Sequence, residues 1–200
     1  MHKKLPELAF LIFFLTLWFS SWLKKAYWIE LASLLGLFVV GYAFKSSLRW
    51  KLTIGGLVLA ISLPLVTLTL GKAWYWVTVF MALPPYYLGS LIRLSRTPLK
   101  ALGISALMLV PFVIPLHLNF YVWTAIALYW LVLGVVGGYF HSSYLEVLIP
   151  SLVVYTLSLV IVVTPTFTIT EDQLLKVAAL VLLLPFYPVG AVITMSLKGK

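Results

Sequence analysis

The sequence predicts an all-α integral membrane protein of eight transmembrane helices, built as two tandem, parallel four-helix repeats. Three observations carry this reading: a composition foreign to soluble domains, eight apolar stretches divided by charges and helix breakers, and a second half that echoes the residue spacing of the first. Of 200 residues, 63% are hydrophobic and 10% charged, and the mean hydropathy is +1.11. Ordinary soluble domains carry about 25% charged residues, so lipid rather than water is the expected solvent. The 8 Trp, 11 Tyr and 12 Phe add rings suited to membrane interfaces.

A span needs about 20 apolar residues at 1.5 Å rise each. The first, 5–23, follows His2, Lys3 and Lys4. This start resembles a secretory leader, but no Ala-x-Ala pattern follows, so it reads as a retained span. The second, 27–44, opens after Lys24 and Lys25 and carries Glu30 one turn in, where pairing with either lysine suffices. The third and fourth cover 50–70 and 73–94, the fifth and sixth 99–116 and 120–140, the seventh 145–163. The polar, β-branched stretch 164–172 reads as an extended outer connection, with Glu171 and Asp172 at the start of the eighth helix, 173–197, where the helix dipole favours acids.

Lys/Arg bias sets the orientation. One side holds Lys3, Lys4, Lys45, Arg49, Lys51, Arg93, Arg96, Lys100, Lys198 and Lys200; the other holds Lys24, Lys25, Lys72 and Lys176. Both termini are therefore expected to be cytoplasmic, in a multi-pass protein of the cell membrane. Trp18, Trp22, Trp28, Trp74, Trp76 and Trp123 gather on the opposite side, as an outer aromatic belt would.

The repeat rests on two matches. Pro64, Thr67 and Thr69 fall on Pro165, Thr168 and Thr170, and Leu83, Pro84, Tyr86, Gly89, Ile92 and Ser95 on Leu184, Pro185, Tyr187, Gly190, Ile193 and Ser196. Gly41 to Ser47 also matches Gly138 to Ser143 with one inserted residue. The implied units are 1–97 and 98–200. Four spans begin and end on one side, so the copies must be parallel, related by a pseudo-twofold axis along the membrane normal.

Pro84, Pro85, Pro185 and Pro188 lie within spans, where proline removes a backbone hydrogen bond and kinks the helix. Gly89, Ser90 and Gly190 lie about one turn beyond, and small residues there predict close packing of the fourth helix against the eighth. With Tyr86 and Tyr187, these residues form the candidate pathway or kink. Gly134 and Gly138 add a Gly-xxx-Gly contact in the sixth helix. Lys45, Arg49, Arg93, Arg96 and His141 are candidate cytoplasmic anion contacts, although the positive-inside rule alone demands such charges.

Several classes are disfavoured. No Gly-x-Ser-x-Gly, His-Glu-x-x-His, dinucleotide fingerprint or Walker lysine occurs, and there is no cysteine. His117, His141 and Glu146 sit at loops or helix ends and are expected to be solvated or capping rather than metal ligands. Ionisable groups inside spans are almost absent from this reading, which argues against ion-coupled pumping. The net charge of +9 is spread in short clusters between apolar runs and forms no nucleic-acid stripe. The resulting expectation is a non-enzymatic small transporter or facilitator for a neutral, amphipathic or lipid-like substrate, without cofactor. The alternatives are a non-catalytic subunit of a larger membrane complex, docking protein partners or a second copy, and an enzyme acting on lipid headgroups.

Overall fold

The computed structural model describes residues 5–70, 76–95, 98–113, 120–163 and 181–198. Among them every regular element is an α-helix: α1 Leu5–Lys24, α2 Tyr27–Ala43, α3 Leu48–Leu70, α4 Trp76–Leu94, α5 Pro98–Met108, α6 Val110–Val113, α7 Phe120–Gly137, α8 Leu148–Val163 and α9 Phe186–Lys198. Leu5–Lys24, Leu48–Leu68 and Val181–Lys198 are each long and apolar enough to cross a membrane. The apolar helices at Tyr27–Ala43, Pro98–Phe112, Tyr121–Gly137 and Leu148–Val160 are shorter; the 17 residues of α2 reach about 26 Å at 1.5 Å each. Arg96, His117, Glu171, Asp172, the connection at 164–172 and the first part of the eighth expected helix lie outside the described residues.

The chain forms two compact units, Met1–Ser90 and Leu91–Lys200. In the first, α1 packs on α2 through a tight turn. Lys25 takes a left-handed φ of 54°, the Ala26 N–H reaches Ser21 O at 2.9 Å and the Lys25 N–H reaches Trp22 O at 3.2 Å. This is a Schellman ending, in which a left-handed residue lets the last carbonyls of a helix find donors. The α1 stripe Leu11, Leu15 and Trp18 faces Leu34 and Leu37 of α2 as the buried core. Trp18 is thus interior, not part of an outer aromatic belt, whereas Trp28 is 71% exposed.

In the second unit α9 lies along α7, and α5 packs on α8. Met108, Trp130, Val154, Tyr187 and Ala191 are central to its core. The fifth expected span is broken: α5 ends at Met108 and α6 resumes at Val110. Pro111 has no N–H to offer Leu107 O. Tyr129 OH donates to that carbonyl at 2.9 Å instead, and Trp130 Nε1 donates to Met108 O at 3.3 Å. Two aromatic donors on α7 therefore stabilise a break that Pro111 begins. The α4 helix, by contrast, runs unbroken through Pro84 and Pro85, while the chain opens into a turn at Leu184 and Pro185. Pro188 has no N–H to offer Leu184 O, which accepts instead from the Tyr187 N–H and from Ser151 Oγ, each at 3.3 Å.

Exposed surface is strongly apolar, with Leu68, Leu99 and Tyr121 each more than four-fifths exposed. Polar groups are turned inward: Glu7, Ser33, Lys51, Ser90, Ser105, His141, Glu146 and Thr194 are all buried. That inversion suits a lipid environment, where unsatisfied polar groups on the outside are costly.

Candidate functional site

Glu7 stands in the first turn of α1, where the helix dipole favours a carboxylate, and it is fully buried. Its Oε1 accepts hydrogen bonds from Ser46 Oγ at 2.9 Å and Tyr86 OH at 2.8 Å, and Lys51 Nζ lies 3.5 Å away. Lys51 Nζ also donates to Gly41 O at 2.5 Å. Gly41 belongs to the last turn of α2, whose carbonyls have no partner within their own helix. One lysine thus caps α2 and neutralises α1, tying three helices together. The second carboxylate oxygen, Glu7 Oε2, is buried and accepts no hydrogen bond.

A hydrophobic groove runs along the same unit. Ile12, Leu15, Thr16 and Phe19 of α1 face Val58, Ile61, Ser62, Leu65 and Val66 of α3, with Val79 of α4 at its side, around about 400 Å³. Small-molecule pockets occupy roughly 300–1,000 Å³ and are mostly apolar with few polar groups. Thr16 and Ser62 are the hydroxyls here, and the Ser62 hydroxyl donates to its own helix at Leu59 O.

The second unit holds another polar cluster. His141 Nε2 and Tyr187 OH share a hydrogen bond of 2.5 Å, with the rings edge to face. His141 is 6% exposed rather than solvated, and its Nδ1 has no hydrogen-bond partner. Burial holds its imidazole below the usual histidine value, with the Glu146 carboxylate acting in the opposite sense. Glu146 is buried too: Oε2 accepts from the Ser142 N–H at 2.7 Å and Ser142 Oγ at 2.8 Å, and Oε1 from Ser95 Oγ at 2.8 Å. In the turn just past α7, Lys198 Nζ donates to Tyr139 O at 2.9 Å.

The small residues expected to join the fourth and eighth helices have other neighbours. A Cβ on Gly89 would strike Phe38 O of α2, and one on Gly190 would strike Leu131 O of α7. Gly41 lies against Tyr86 O, and Gly134 against Tyr187 O. Contact therefore equates Gly41 with Gly134, one helical turn from the Gly138 that alignment chose. Ser90 Oγ donates within α4 to Tyr86 O at 2.9 Å.

The sequence-derived candidates divide clearly. Tyr86 and Tyr187 are wholly buried, each bonded to an ionisable partner, while Lys45 and Arg49 are exposed and Arg93 is partly so. Among the described residues, Glu30 is buried without a salt bridge to Lys24 or Lys25. Sequence reasoning passed over Glu7, close to the start of the first expected span, and read Lys51 only as a topology charge. The available signal was Glu7 itself, an acid on the Glu7, Leu11, Leu15, Trp18 stripe at helical spacing. Comparison with known proteins finds no matching family, no similar curated protein and no similar solved structure.

Proposed function

We propose that the chain is a multi-pass protein of the cell membrane that binds and moves a neutral, amphipathic or lipid-like molecule, without enzymatic chemistry or cofactor. The observation that carries this reading is the apolar groove between α1 and α3, open to the side and edged by hydroxyls rather than charges. Charged cargo would demand a counter-charge in such a place. The chain is read as crossing the bilayer eight times, as parallel repeats 1–97 and 98–200, with the ends of the first and last spans cytoplasmic. Three features support the repeat: a tyrosine backbone laid on a glycine in each unit, a lysine on a carbonyl in the last turn of α2 and on one in the turn just past α7, and a Ser-Ser loop whose serine, Ser46 or Ser142, donates to a buried glutamate.

In this reading α4 and α9 are the moving elements. Pro84, Pro85, Pro185 and Pro188 weaken their backbone ladders, and the bonds of Tyr86 to Glu7 and Tyr187 to His141 hold the resting form. A headgroup enzyme is less well supported, because Lys45 and Arg49 are exposed whereas His141 is buried against Tyr187. The test is reconstitution into vesicles with a fluorescent lipid, following its movement between leaflets. Transfer should exceed that of empty vesicles at least fivefold and fall when Ser62→Trp fills the groove. Equal transfer with and without protein would sink the transport reading.

A further inference from the structure

In the second unit α7 and α9 lie side by side and run in the same direction. Gly134 sits against Tyr187 O and Gly138 against Ala191 O, so the contact advances along both helices together. Polar ties follow the seam: Tyr187 to His141 at the start of α9, Thr194 Oγ1 to Val135 O at 2.9 Å further on, and Lys198 Nζ to Tyr139 O near its end. Only the first holds a histidine, the side chain whose ordinary value falls between pH 5 and 8. The start of α9 is also where its own ladder is weakest, because the chain turns at Leu184 and Pro185 and Pro188 has no N–H to give. Tyr187 is what fastens it: Gly137 leaves room for the hydroxyl, which a Cβ there would approach to 2.5 Å, and His141 is its hydrogen-bond partner.

Counting donors fixes the direction of that bond. Were Nε2 to donate to the phenol, the phenol proton and Nδ1 would both lack partners; with the phenol donating to Nε2, only the Nδ1–H does. A second proton on the ring removes the acceptor. The bond can then only reverse, which leaves the phenol proton without an acceptor and a buried cation with its Nδ1–H unpaired. Parting the start of α9 from the turn opens the ring and the phenol to water and lifts both costs. The ionisable groups on the surrounding elements are Tyr139 and Glu146 in the segment between α7 and α8, Tyr155 on α8, Lys198 on α9, Arg93 near the end of α4 and Lys100 on α5, which is exposed. Glu146 favours the imidazolium, although its oxygens already accept from Ser142 and Ser95; the ammonium of Lys198, held on Tyr139 O, opposes it. Burial sets the transition below the ordinary value of about 6.5.

We propose that proton uptake by His141 is the trigger that parts the start of α9 from α7. The first unit takes no part, because its Tyr86 bonds to a carboxylate. This names what moves one of the two mobile helices of the transport reading and rests on α9 being mobile. It is read from shape rather than from transfer, so the two can fail separately.

The chain has no cysteine, so spin labels can be placed in pairs. Val136→Cys on α7 and Val189→Cys on α9 are exposed positions, and pulsed electron paramagnetic resonance of the full-length chain in lipid nanodiscs measures the distance between them. One short distance is expected at pH 7.5, and at pH 5.0 about a third or more of the molecules should show a longer one. His141→Gln keeps a hydrogen-bonding side chain without a titrating ring and should hold the short distance at both values. Tyr187→Phe should show the longer population already at pH 7.5. Labels at Leu35→Cys and Met81→Cys, on α2 and α4, should not respond. A single distance at both pH values in the otherwise unaltered chain, widening that survives His141→Gln, or equal widening between α2 and α4 would each overturn the proposal. Should Tyr187→Phe not fold, the His141→Gln comparison decides alone. Widening without leaflet transfer would leave the switch standing and remove transport.

Discussion

At the scale of single residues, two tyrosines end in different chemistry. Tyr86 donates to a carboxylate, whereas Tyr187 is paired with an imidazole. The imidazole gives a pH dependence whose sign can be worked out. Burial lowers the His141 value in the folded protein, so between that value and the ordinary one near 6.5 the unfolded chain binds the extra proton. His141 therefore contributes stability above pH ~6.5, and that contribution is lost as pH falls through the folded value. Thermal unfolding in detergent should show a loss of melting temperature from pH 7.5 to pH 5.5 that His141→Gln reduces. Identical pH slopes in the two proteins would contradict this account. The Glu146 carboxylate limits the size of the effect, since it favours the imidazolium.

At the scale of elements, glycine placement separates two kinds of helix surface. Gly134 and Gly190 hold α7 and α9 at backbone contact, and Gly41 and Gly89 do the same for α2 and α4. Gly56 on α3 and Gly103 on α5 have open space where a Cβ would stand. Gly134→Leu or Gly190→Leu should destabilise by at least about 2 kcal/mol through overpacking against backbone. Gly56→Ala and Gly103→Ala should be neutral or stabilise by up to about 1 kcal/mol, since alanine suits a helix interior better. Chemical unfolding of the four variants checks the contrast, and a costly Gly56→Ala would contradict it. The helices themselves were legible in part: the expected start at 27 coincides with that of α2, because charges and the length rule fix where apolar runs can begin. The break after Met108 was not: the expected fifth span, 99–116, runs straight through it. Pro111 begins the break, but the pair of donors on α7 that stabilises it comes only from packing.

For the whole molecule, the sequence predicted what kind of solvent the chain meets better than where its polar groups gather. Composition is a sum over residues and survives any folding. The Glu7, Ser46, Lys51 and Tyr86 cluster joins residues up to 79 positions apart, and no local pattern announces it. Orientation remains a prediction of charge bias. Because the chain has no cysteine, single cysteines can be introduced without background. Lys45→Cys should be labelled by an impermeant maleimide only in inverted vesicles, and Lys25→Cys only in intact cells. Labelling of both from one side would overturn the eight-span arrangement. The turn at Lys25 also has a mechanical meaning. With only Lys25 and Ala26 between α1 and α2, and a left-handed residue locking them, that hairpin behaves as a single plank. The groove beside α1 is thus bounded on one side by a wall whose two helices are tied together, with α3 as its other wall.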